Sequence, residues 1–256
     1  MKKILLLMAI ILPLTFESWG KDNDEQVTHK EHVYVDLGLP SGTLWATCNV
    51  GANSPEEYGD YFAWGETEPK EKYDPVNYKW GNGIEVVTKY VNNYSATCRG
   101  GQHINNRYEG YVDNKLELDP EDDAAYVNWG PQWRMPSKAQ QDELVEMCTW
   151  IWTLVNSVEG YLVTGPNGHA IFFPAAGMKL GDMTVDTGLH TMHPFGYYSS
   201  RTLSSQEPFC IHIICFKEAA VIESGTHYVR ERGVNVINNG TRYEGYTVRA
   251  VRVSQD

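Results

Sequence analysis

Two pairs of side chains in this sequence have types and spacings that could do covalent chemistry. Glu66 and Glu68 follow the aromatic segment 61–65, and paired carboxylates near aromatic rings are the groups that a glycosidase uses. Cys210 and Cys215 could supply a thiolate or hold copper if both sulfur atoms faced the same side. These are the candidates for hydrolytic and oxidative chemistry respectively.

Neither pair is predicted to be catalytic. Glu66 and Glu68 alternate along a segment expected to be an exposed loop, where carboxylates serve as solvated charges or accept backbone hydrogen bonds. Residues five apart in a regular strand face opposite ways, and the apolar neighbours of Cys210 and Cys215 supply no activating cation. We therefore predict that the protein is not an enzyme and has no catalytic residues.

An acidic run before Ala124 could attract a hard cation. It consists of Asp119, Glu121, Asp122 and Asp123, and calcium binds clustered oxygen ligands. However, the run lacks the spacing of an EF-hand. The same carboxylates suit the first turn of a short helix, where the helix macrodipole favours negative charge. We predict a helix start and no cofactor or metal ion, with calcium as the alternative.

The clearest helix signal lies within residues 128–150. Ser137 occupies an N-cap position with Gln140 three residues later, which is a capping box, and Pro136 disfavours an earlier start. Apolar residues then recur at helical spacing, with acidic residues between them. This pattern predicts one main helix at about 137–149.

Strand signals surround this helix. Tyr161–Thr164 and Ala170–Phe173 flank the turn Gly165–Gly168, which predicts a hairpin. Phe209–Phe216 is almost entirely apolar and predicts a buried strand. Residues 71–123 have no clear period and are expected to form long irregular connections. Together these features predict an α+β domain with short strands and one main helix.

Several blocks of the sequence resemble the Fibrobacter succinogenes major paralogous domain family, which is common in secreted and surface proteins of the Bacteroidetes. The segment WGPQWRMPS at Trp129–Ser137 is similar to the signature of that family. Further blocks that resemble it, in order, lie at Val35–Ala52, Glu56–Lys70, Thr164–Gly177 and Gly245–Val253.

The resemblance implies a fold as well. It implies a C-type-lectin-like fold with short twisted antiparallel sheets, distantly similar to formylglycine-generating enzymes, and it would place Val33–Asp36 beside Thr247–Val253. Val248, Ala250 and Val251 are then expected in or near the core. A formylglycine-generating-type oxidase that uses the late cysteine pair is the less favoured alternative that follows from the same resemblance.

The resemblance also implies where a ligand would bind. In C-type-lectin-like proteins ligands meet loops late in the chain, where aromatic faces stack on sugars or peptides and Arg or His side chains supply directional donors. By this analogy the predicted ligand-binding residues are Tyr197, Tyr198, Arg201, His227, Tyr228, Arg230 and Arg232.

Residues 1–20 have the form of a secretory signal peptide. Two lysines begin the segment, a short apolar run follows, and small residues precede the expected cleavage point. Trp19 stands where a lipidated cysteine would be expected, so a lipid anchor is not predicted. A flexible tether at 21–32 and a single domain at 33–256 should follow, and the location should be extracellular, periplasmic or cell-surface.

The charge balance limits the possible partners. The formal net charge is −12, whereas nucleic acid and anionic lipid both require a basic surface. We predict no nucleic-acid partner and no membrane span. The sequence favours a secreted or cell-surface, non-catalytic binding module for a glycan or protein ligand, and the main alternative is a structural or adhesin component of the cell envelope.

Overall fold

The computed structural model covers most of the predicted domain. The predicted signal peptide and all but the last residue of the predicted tether lie outside the described residues. For 221–224 and 227–230 the backbone alone is described. The structure describes residues 32–81, 87–91, 113–185, 194–206, 209–218, 221–224, 227–230 and 233–252.

Short strands make up most of the regular structure. The helices are α1 (Ala124–Trp129) and α2 (Lys138–Met147), with 3-10 turns at Pro75–Asn77 and Pro120–Asp122. The strands are β1 (Tyr34–Asp36), β2 (Leu44–Ala46), β3 (Tyr61–Phe62), β4 (Trp133–Arg134), β5 (Thr149–Val155), β6 (Val158–Thr164), β7 (Ala170–Pro174), β8 (Met178–Leu180), β9 (Met183–Val185), β10 (Gly196–Leu203), β11 (Cys210–Phe216), β12 (Val221–Ser224), β13 (His227–Arg230), β14 (Val234–Thr241), β15 (Tyr246–Thr247) and β16 (Val251–Arg252).

The predicted fold class, an α+β C-type-lectin-like domain around one main helix, is wrong. The described residues are 40% strand and 13% helix, so the regular structure is mostly β, and they contain two α-helices and several small sheets. The sequence predicts the helix at 137–149 clearly because helix caps and helical spacing are signals between residues close in sequence. Strands of two or three residues are too short to show an alternating pattern. The described residues include no helix with the length and apolar character needed to cross a bilayer.

Sheet A joins the two ends of the domain in the order β1-β2-β16-β4. Trp45 of β2 lies opposite Val35 of β1 on one side and Val251 of β16 on the other. The predicted direct pairing of Val33–Asp36 with Thr247–Val253 is therefore wrong. The chain turns back after β1, so β2 takes the position beside the last strand.

Sheet B, in the order β14-β11-β10-β15-β3, separates two hydrophobic clusters. Ile211 and Ile213 belong to one cluster, whereas Ile214 and Phe216 belong to the other. The prediction of a buried strand at Phe209–Phe216 is confirmed by β11. Apolar residues occur on both faces of this strand because both faces are covered.

Helix α2 forms as its capping box predicts. The Ser137 hydroxyl accepts from the backbone N–H of Gln140 at 3.2 Å, and the Gln140 side chain accepts from the backbone N–H of Ser137 at 2.9 Å. Leu144 and Val145 form part of the buried face of this helix. The predicted hairpin is also confirmed, because Thr164 of β6 pairs with Ala170 of β7.

The buried guanidinium of Arg249 connects sheet A to the sheet formed by β5, β6 and β7. Its Nε donates to Asn49 Oδ1 at 2.8 Å, and its Nη2 donates to the carbonyl of Phe172 at 2.8 Å. Its Nη1 donates to the carbonyls of Ala46 and Thr47 at 3.2 and 2.9 Å. The neighbouring apolar residues are buried as predicted, namely Val248, Ala250 and Val251.

Candidate functional site

A cleft of about 400 Å³ lies at the edge of sheet A, and we call it the arginine cleft. Three guanidinium groups share it, and each is carried by a different strand. The cleft is lined by the turn at 41–43, Glu117, Gln140, Arg134, Arg201 and Arg252. This is a concave site with three arginine side chains in a chain whose net charge is −12.

Arg201 reaches the cleft from an irregular part of β10. Ser199 of β10 pairs with Ile213 of β11, and Leu203 pairs with Ile211. Between these two pairs β10 contains two more residues than β11, so β10 forms a bulge there. Bulges redirect side chains and are common beside functional sites. Arg201 Nε donates to Glu117 Oε2 at 2.6 Å, and its Nη1 donates to the Met135 carbonyl at 2.8 Å.

The Arg201 side chain is held without using all its donors. Its Nη1 also donates to Gln140 Oε1 at 3.2 Å. Glu117, which pairs with Nε, is itself fixed because Thr202 Oγ1 donates to its second oxygen at 3.0 Å. Within the described part of the chain, Arg201 Nη2 has no hydrogen-bond partner. This nitrogen is therefore available to a ligand.

Arg134 is positioned by a buried carboxylate. Gly130 ends α1 with a φ of 96°, and the chain turns back into β4. Arg134 Nε then donates to Asp123 Oδ2 at 2.9 Å, and Asp123 also accepts from the backbone N–H of Ala125 and Tyr126 as the N-cap of α1. The prediction that the acidic run begins a short helix is thus confirmed, because Asp123 is the N-cap of α1.

Arg252 differs from the other two arginines because its contacts are neutral. Its Nη2 donates to Gln132 Oε1 at 3.0 Å, and its guanidinium carbon lies 4.6 Å from the centre of the Tyr34 ring. No carboxylate pairs with Arg252 among the residues that the structure describes. Among the described residues, Arg134 and Arg201 each pair with a carboxylate, and Arg252 does not.

The turn at 41–43 lines another part of the cleft and is held by the carboxylate of Glu143 and the amide of Gln140. Ser41 donates to Glu143 through both its backbone N–H, at 2.9 Å, and its hydroxyl, at 2.5 Å. Thr43 Oγ1 lies 2.6 Å from Ser41 Oγ and accepts from Gln140 Nε2 at 3.2 Å. These bonds attach the turn at 41–43 to helix α2.

The predicted ligand-binding residues do not form one group. Arg201 lies in the arginine cleft, whereas Tyr198 is 1% exposed and its hydroxyl donates to the Pro174 carbonyl at 2.7 Å. Tyr198 is a core residue, and its ring is not presented to a ligand. Tyr197 is half-buried on the other face of β10, stacked on Phe195 at 5.8 Å between ring centres.

The remaining predicted residues lie late in the chain. His227, Tyr228 and Arg230 belong to β13, whose backbone pairs with β12, and their side chains are outside the description. Arg232 lies outside the described residues altogether. Arg134, Gln140 and Arg252 were missed as site residues. One signal in the sequence could have identified Arg252 as a site residue. The closing segment alternates apolar residues with a period of about two, and Arg252 does not fit that period.

Asp119 and Asp122 of the acidic run form salt bridges with lysine side chains. Asp122 is 2% exposed and accepts from Lys79 at 3.0 Å, from Lys89 at 2.6 Å and from the Tyr90 hydroxyl at 2.7 Å. Asp119 pairs with Lys89 at 3.0 Å. In the described ranges, no group of three or more His, Cys, Asp or Glu residues is arranged to hold a metal ion.

The Asp122 network predicts a dependence of stability on pH. Burial alone would raise the pKa of Asp122, but the hydrogen bonds from Lys89, Tyr90 and Lys79 outweigh it and lower the pKa below 3.8. A lowered pKa means that the folded state favours the carboxylate, so its contribution is complete above about pH 4 and is lost as the pH falls through the folded-state pKa.

Asp122→Asn should lower the free energy of unfolding by roughly 2 kcal/mol at pH 7. The difference from the parent should shrink as the pH falls below about 4, because the unfolded parent then takes up a proton first and the folded carboxylate is neutralised only at its own lower pKa. Urea denaturation at pH 7 and pH 3 measures both values. Asp182→Asn, at an exposed position, is the control. A difference that is independent of pH would contradict the charge-based account.

The carboxylate pair Glu66 and Glu68 and the thiol pair Cys210 and Cys215 do not line the arginine cleft. Glu66 accepts from the backbone N–H of Lys79 at 2.8 Å and pairs with Lys70 at 2.9 Å. Strand β11 is regular, because the extra residues at both irregularities belong to its neighbours β10 and β14. Cys210 and Cys215, five positions apart on this strand, consequently face opposite sides of sheet B.

Comparison with known proteins yields no match among family models, curated proteins or solved structures. The resemblance of the five sequence blocks to a paralogous domain family therefore stays a prediction.

Proposed function

We propose that this protein is an exported, non-catalytic binding module for a glycan or protein ligand, and that the ligand binds in the arginine cleft. The observation that carries the proposal is the presence of three guanidinium groups in one concave site. The volume of the cleft, about 400 Å³, falls within the range of roughly 300–1,000 Å³ that is typical of ligand pockets.

The fixed geometry of the arginines supports this proposal. Arg134 is bonded to the buried Asp123, and Arg201 is bonded to Glu117, Met135 and Gln140. Side chains that are already ordered lose less conformational entropy when a ligand binds. A planar guanidinium also presents its donors in a fixed fork that suits oxygen acceptors.

Two further parts of the proposal, export from the cell and a non-catalytic role, are supported by different features of the chain. Export is proposed from the form of residues 1–20. A non-catalytic role is supported by the structural roles of the candidate catalytic groups: Glu66 is held by Lys70 and Lys79, and the thiols of Cys210 and Cys215 face opposite sides of a sheet.

A structural role in a cell-envelope assembly is the second candidate. Strand β5 is an edge strand of its sheet within the described residues, and it exposes Ile151 and Leu154, which are 55% and 63% exposed. Exposed apolar residues on an edge strand favour pairing with another chain. Ile151→Lys should then reduce self-association or envelope retention, and unchanged behaviour would count against this candidate.

The main proposal is tested by binding of the purified protein to a broad glycan array with and without calcium, followed by Arg201→Gln. We expect the array hits to be calcium-independent and to weaken about tenfold or more in the variant, because a charge-assisted hydrogen bond is lost. Lys72→Gln removes an exposed charge outside the cleft and should change nothing. Equal binding by Arg201→Gln and the parent would contradict the proposal.

A further inference from the structure

Strand β5 leaves one backbone edge open. It spans Thr149–Val155 and pairs with β6 along its whole length without a shift of register. On its other side, none of the residues that the structure describes forms a backbone hydrogen bond with it. The N–H and C=O groups on that side are therefore available to another strand.

The turn after β5 determines which backbone groups point to this edge. Asn156 and Ser157 have φ values of 48° and 67°, which define a two-residue hairpin turn closed by a hydrogen-bonded pair. Val155 and Val158 form that pair, and hydrogen-bonded pairs alternate along an antiparallel ladder. Every second residue of β5, counted from Val155, therefore faces β6. The residues between them direct their N–H and C=O groups to the open edge, namely Trp150, Trp152 and Leu154.

This edge lacks the features that usually keep an edge strand from pairing. Such strands are commonly short or bulged, or they carry lysine or proline. The seven residues of β5 include no charged residue and no proline. Other edges in the described sheets do have these features: β1, β3 and β4 have two or three residues, β7 ends at Pro174, and β14 contains a shift of register. Strand β5 is thus suited to pairing in a way that these edges are not.

Two apolar side chains of β5 lie in open space. Ile151 is 55% exposed and Leu154 is 63% exposed. These residues are three positions apart, so their side chains lie on opposite faces of the strand. The edge is therefore accessible to a partner strand on both faces, and pairing there would bury apolar surface as well as backbone groups.

The strand that fits this edge is a second copy of β5. In an antiparallel arrangement with a two-fold axis at Trp152, this residue lies opposite its own copy, and Trp150 lies opposite Leu154 of the second copy. These are the residues whose backbone groups point outward, so every outward N–H and C=O group of both strands is hydrogen-bonded. Leu154 then packs beside Trp150, and Ile151 beside Thr153, and such cross-strand pairs of aromatic, aliphatic and β-branched residues stabilise sheets.

The net charge of −12 on each copy does not oppose this contact strongly. Glu159, opposite Leu154 on β6, is the one charged residue in the strands β5, β6 and β7. The two copies of Glu159 would be three strand spacings apart, or about 14 Å. That distance exceeds the Debye length of about 8 Å at physiological ionic strength, so their repulsion is largely screened.

We propose that two copies of this protein pair through β5, antiparallel about Trp152, so that their three-stranded sheets join into one continuous sheet. The contact is limited to one strand from each copy, and small interfaces of this kind are typical of reversible complexes. We therefore expect a dimer with a Kd in the micromolar range. No residue of β5 lines the arginine cleft, so this inference goes beyond the binding function proposed for the cleft and does not depend on its ligand.

Sedimentation equilibrium of the purified protein over about 1–200 μM tests whether this dimer forms. The parent should change from monomer to dimer as its concentration rises. Leu154→Lys should raise the Kd about tenfold or more, because the two-fold axis places the added charge at the interface twice. Met183→Lys is the matched control, since Met183 is 62% exposed on β9 in another sheet, and it should leave the Kd unchanged.

Disulfide trapping tests the register of the pair. Ile151→Cys combined with Thr153→Cys would place two thiols opposite each other in the non-hydrogen-bonded pairs, where facing side chains are closest. Mild oxidation of this variant should give a covalent dimer, and peptide mapping should locate the bond between positions 151 and 153. Thr149→Cys combined with Thr153→Cys is the matched control, because these two positions do not face each other across the axis and should crosslink much more slowly.

Several results would overturn the inference. A parent that stays monomeric over the whole concentration range would do so, as would a dimer that Leu154→Lys and Met183→Lys weaken equally. Equal crosslinking of the two double variants would contradict the axis at Trp152, and assemblies that grow beyond a dimer would contradict a closed two-fold pair. Glycan binding by Leu154→Lys should equal that of the parent, so loss of the dimer is distinguishable from failure of the proposed function.

Discussion

Arg249→Met is expected to lower the free energy of unfolding by about 4 kcal/mol, the largest effect of any substitution considered for this chain. Arg249 is fully buried and donates four hydrogen bonds. A methionine fills a similar volume but donates none of them. The acceptors that remain are one side-chain amide and three backbone carbonyls.

The cost comes from those acceptors more than from the lost charge. A buried acceptor without a donor costs roughly 1–3 kcal/mol, although the individual costs do not add fully. Asn49, itself 0% exposed, is among the groups that would lose its donor. The guanidinium also lies 4.6 Å from the centre of the Phe173 ring, so a contact between two sheets is lost too.

Urea denaturation of the parent and the variant measures this difference. Arg252→Met is the matched control, because the same substitution is made three positions later at a half-buried site that donates one hydrogen bond. The control should change the free energy of unfolding by less than about 1 kcal/mol. A loss below about 1 kcal/mol for Arg249→Met would contradict the structural role given to this guanidinium.

Asp123→Asn should have the second largest effect, a loss of roughly 3 kcal/mol in the free energy of unfolding. Asp123 is fully buried and receives donors on both oxygens: the backbone N–H groups of Ala125, Tyr126 and Met135, and the Arg134 guanidinium. Asparagine keeps the shape, but its amide nitrogen would face a donor, and Arg134 would lose its counter-charge.

The same substitution should weaken ligand binding as well as folding. Arg134 lines the arginine cleft, and Asp123 fixes its orientation. Binding measured at a temperature where the variant is fully folded should be weaker than in the parent by about tenfold. Glu121→Gln is the matched control, since Glu121 is an exposed member of the same acidic run. An Asp123→Asn variant as stable as Glu121→Gln would contradict the account.

The parts of the fold that were predicted correctly depend on local chemistry. The capping box of Ser137 and Gln140 involves residues three apart, and the hairpin turn at 165–168 joins adjacent strands. The buried strand β11 is continuous in sequence. In each case the residues that make the interaction lie within one short segment, so the pattern could be seen without the rest of the chain.

The parts that were missed depend on contacts between distant segments. Arg249 donates to Ala46, which lies 203 positions earlier, and nothing near Arg249 in sequence indicates that it is buried. Sheet A takes β1 and β2 from the start of the domain, β4 from its middle and β16 from its end, and β4 and β16 have only two residues each. The predicted α+β class failed for this reason.

The candidate site could be predicted only in part. Arg201 was selected by a resemblance and does lie in the cleft, but Tyr198 was selected with it and is a core residue. Tyr197 and Tyr198 are adjacent residues of β10, and adjacent residues of a strand face opposite ways, so these two could not both have faced one ligand. Arg134 and Arg252 enter the site because sheet A places β4 beside β16, which a linear sequence does not indicate.

Hydrogen–deuterium exchange with and without the best array glycan tests most directly whether the arginine cleft is the binding site. The account predicts that saturation with the glycan slows exchange of backbone amides at 41–43, 200–203 and 251–252, which surround the cleft. Protection confined to β12 and β13, with the amides around the cleft unchanged, would contradict it.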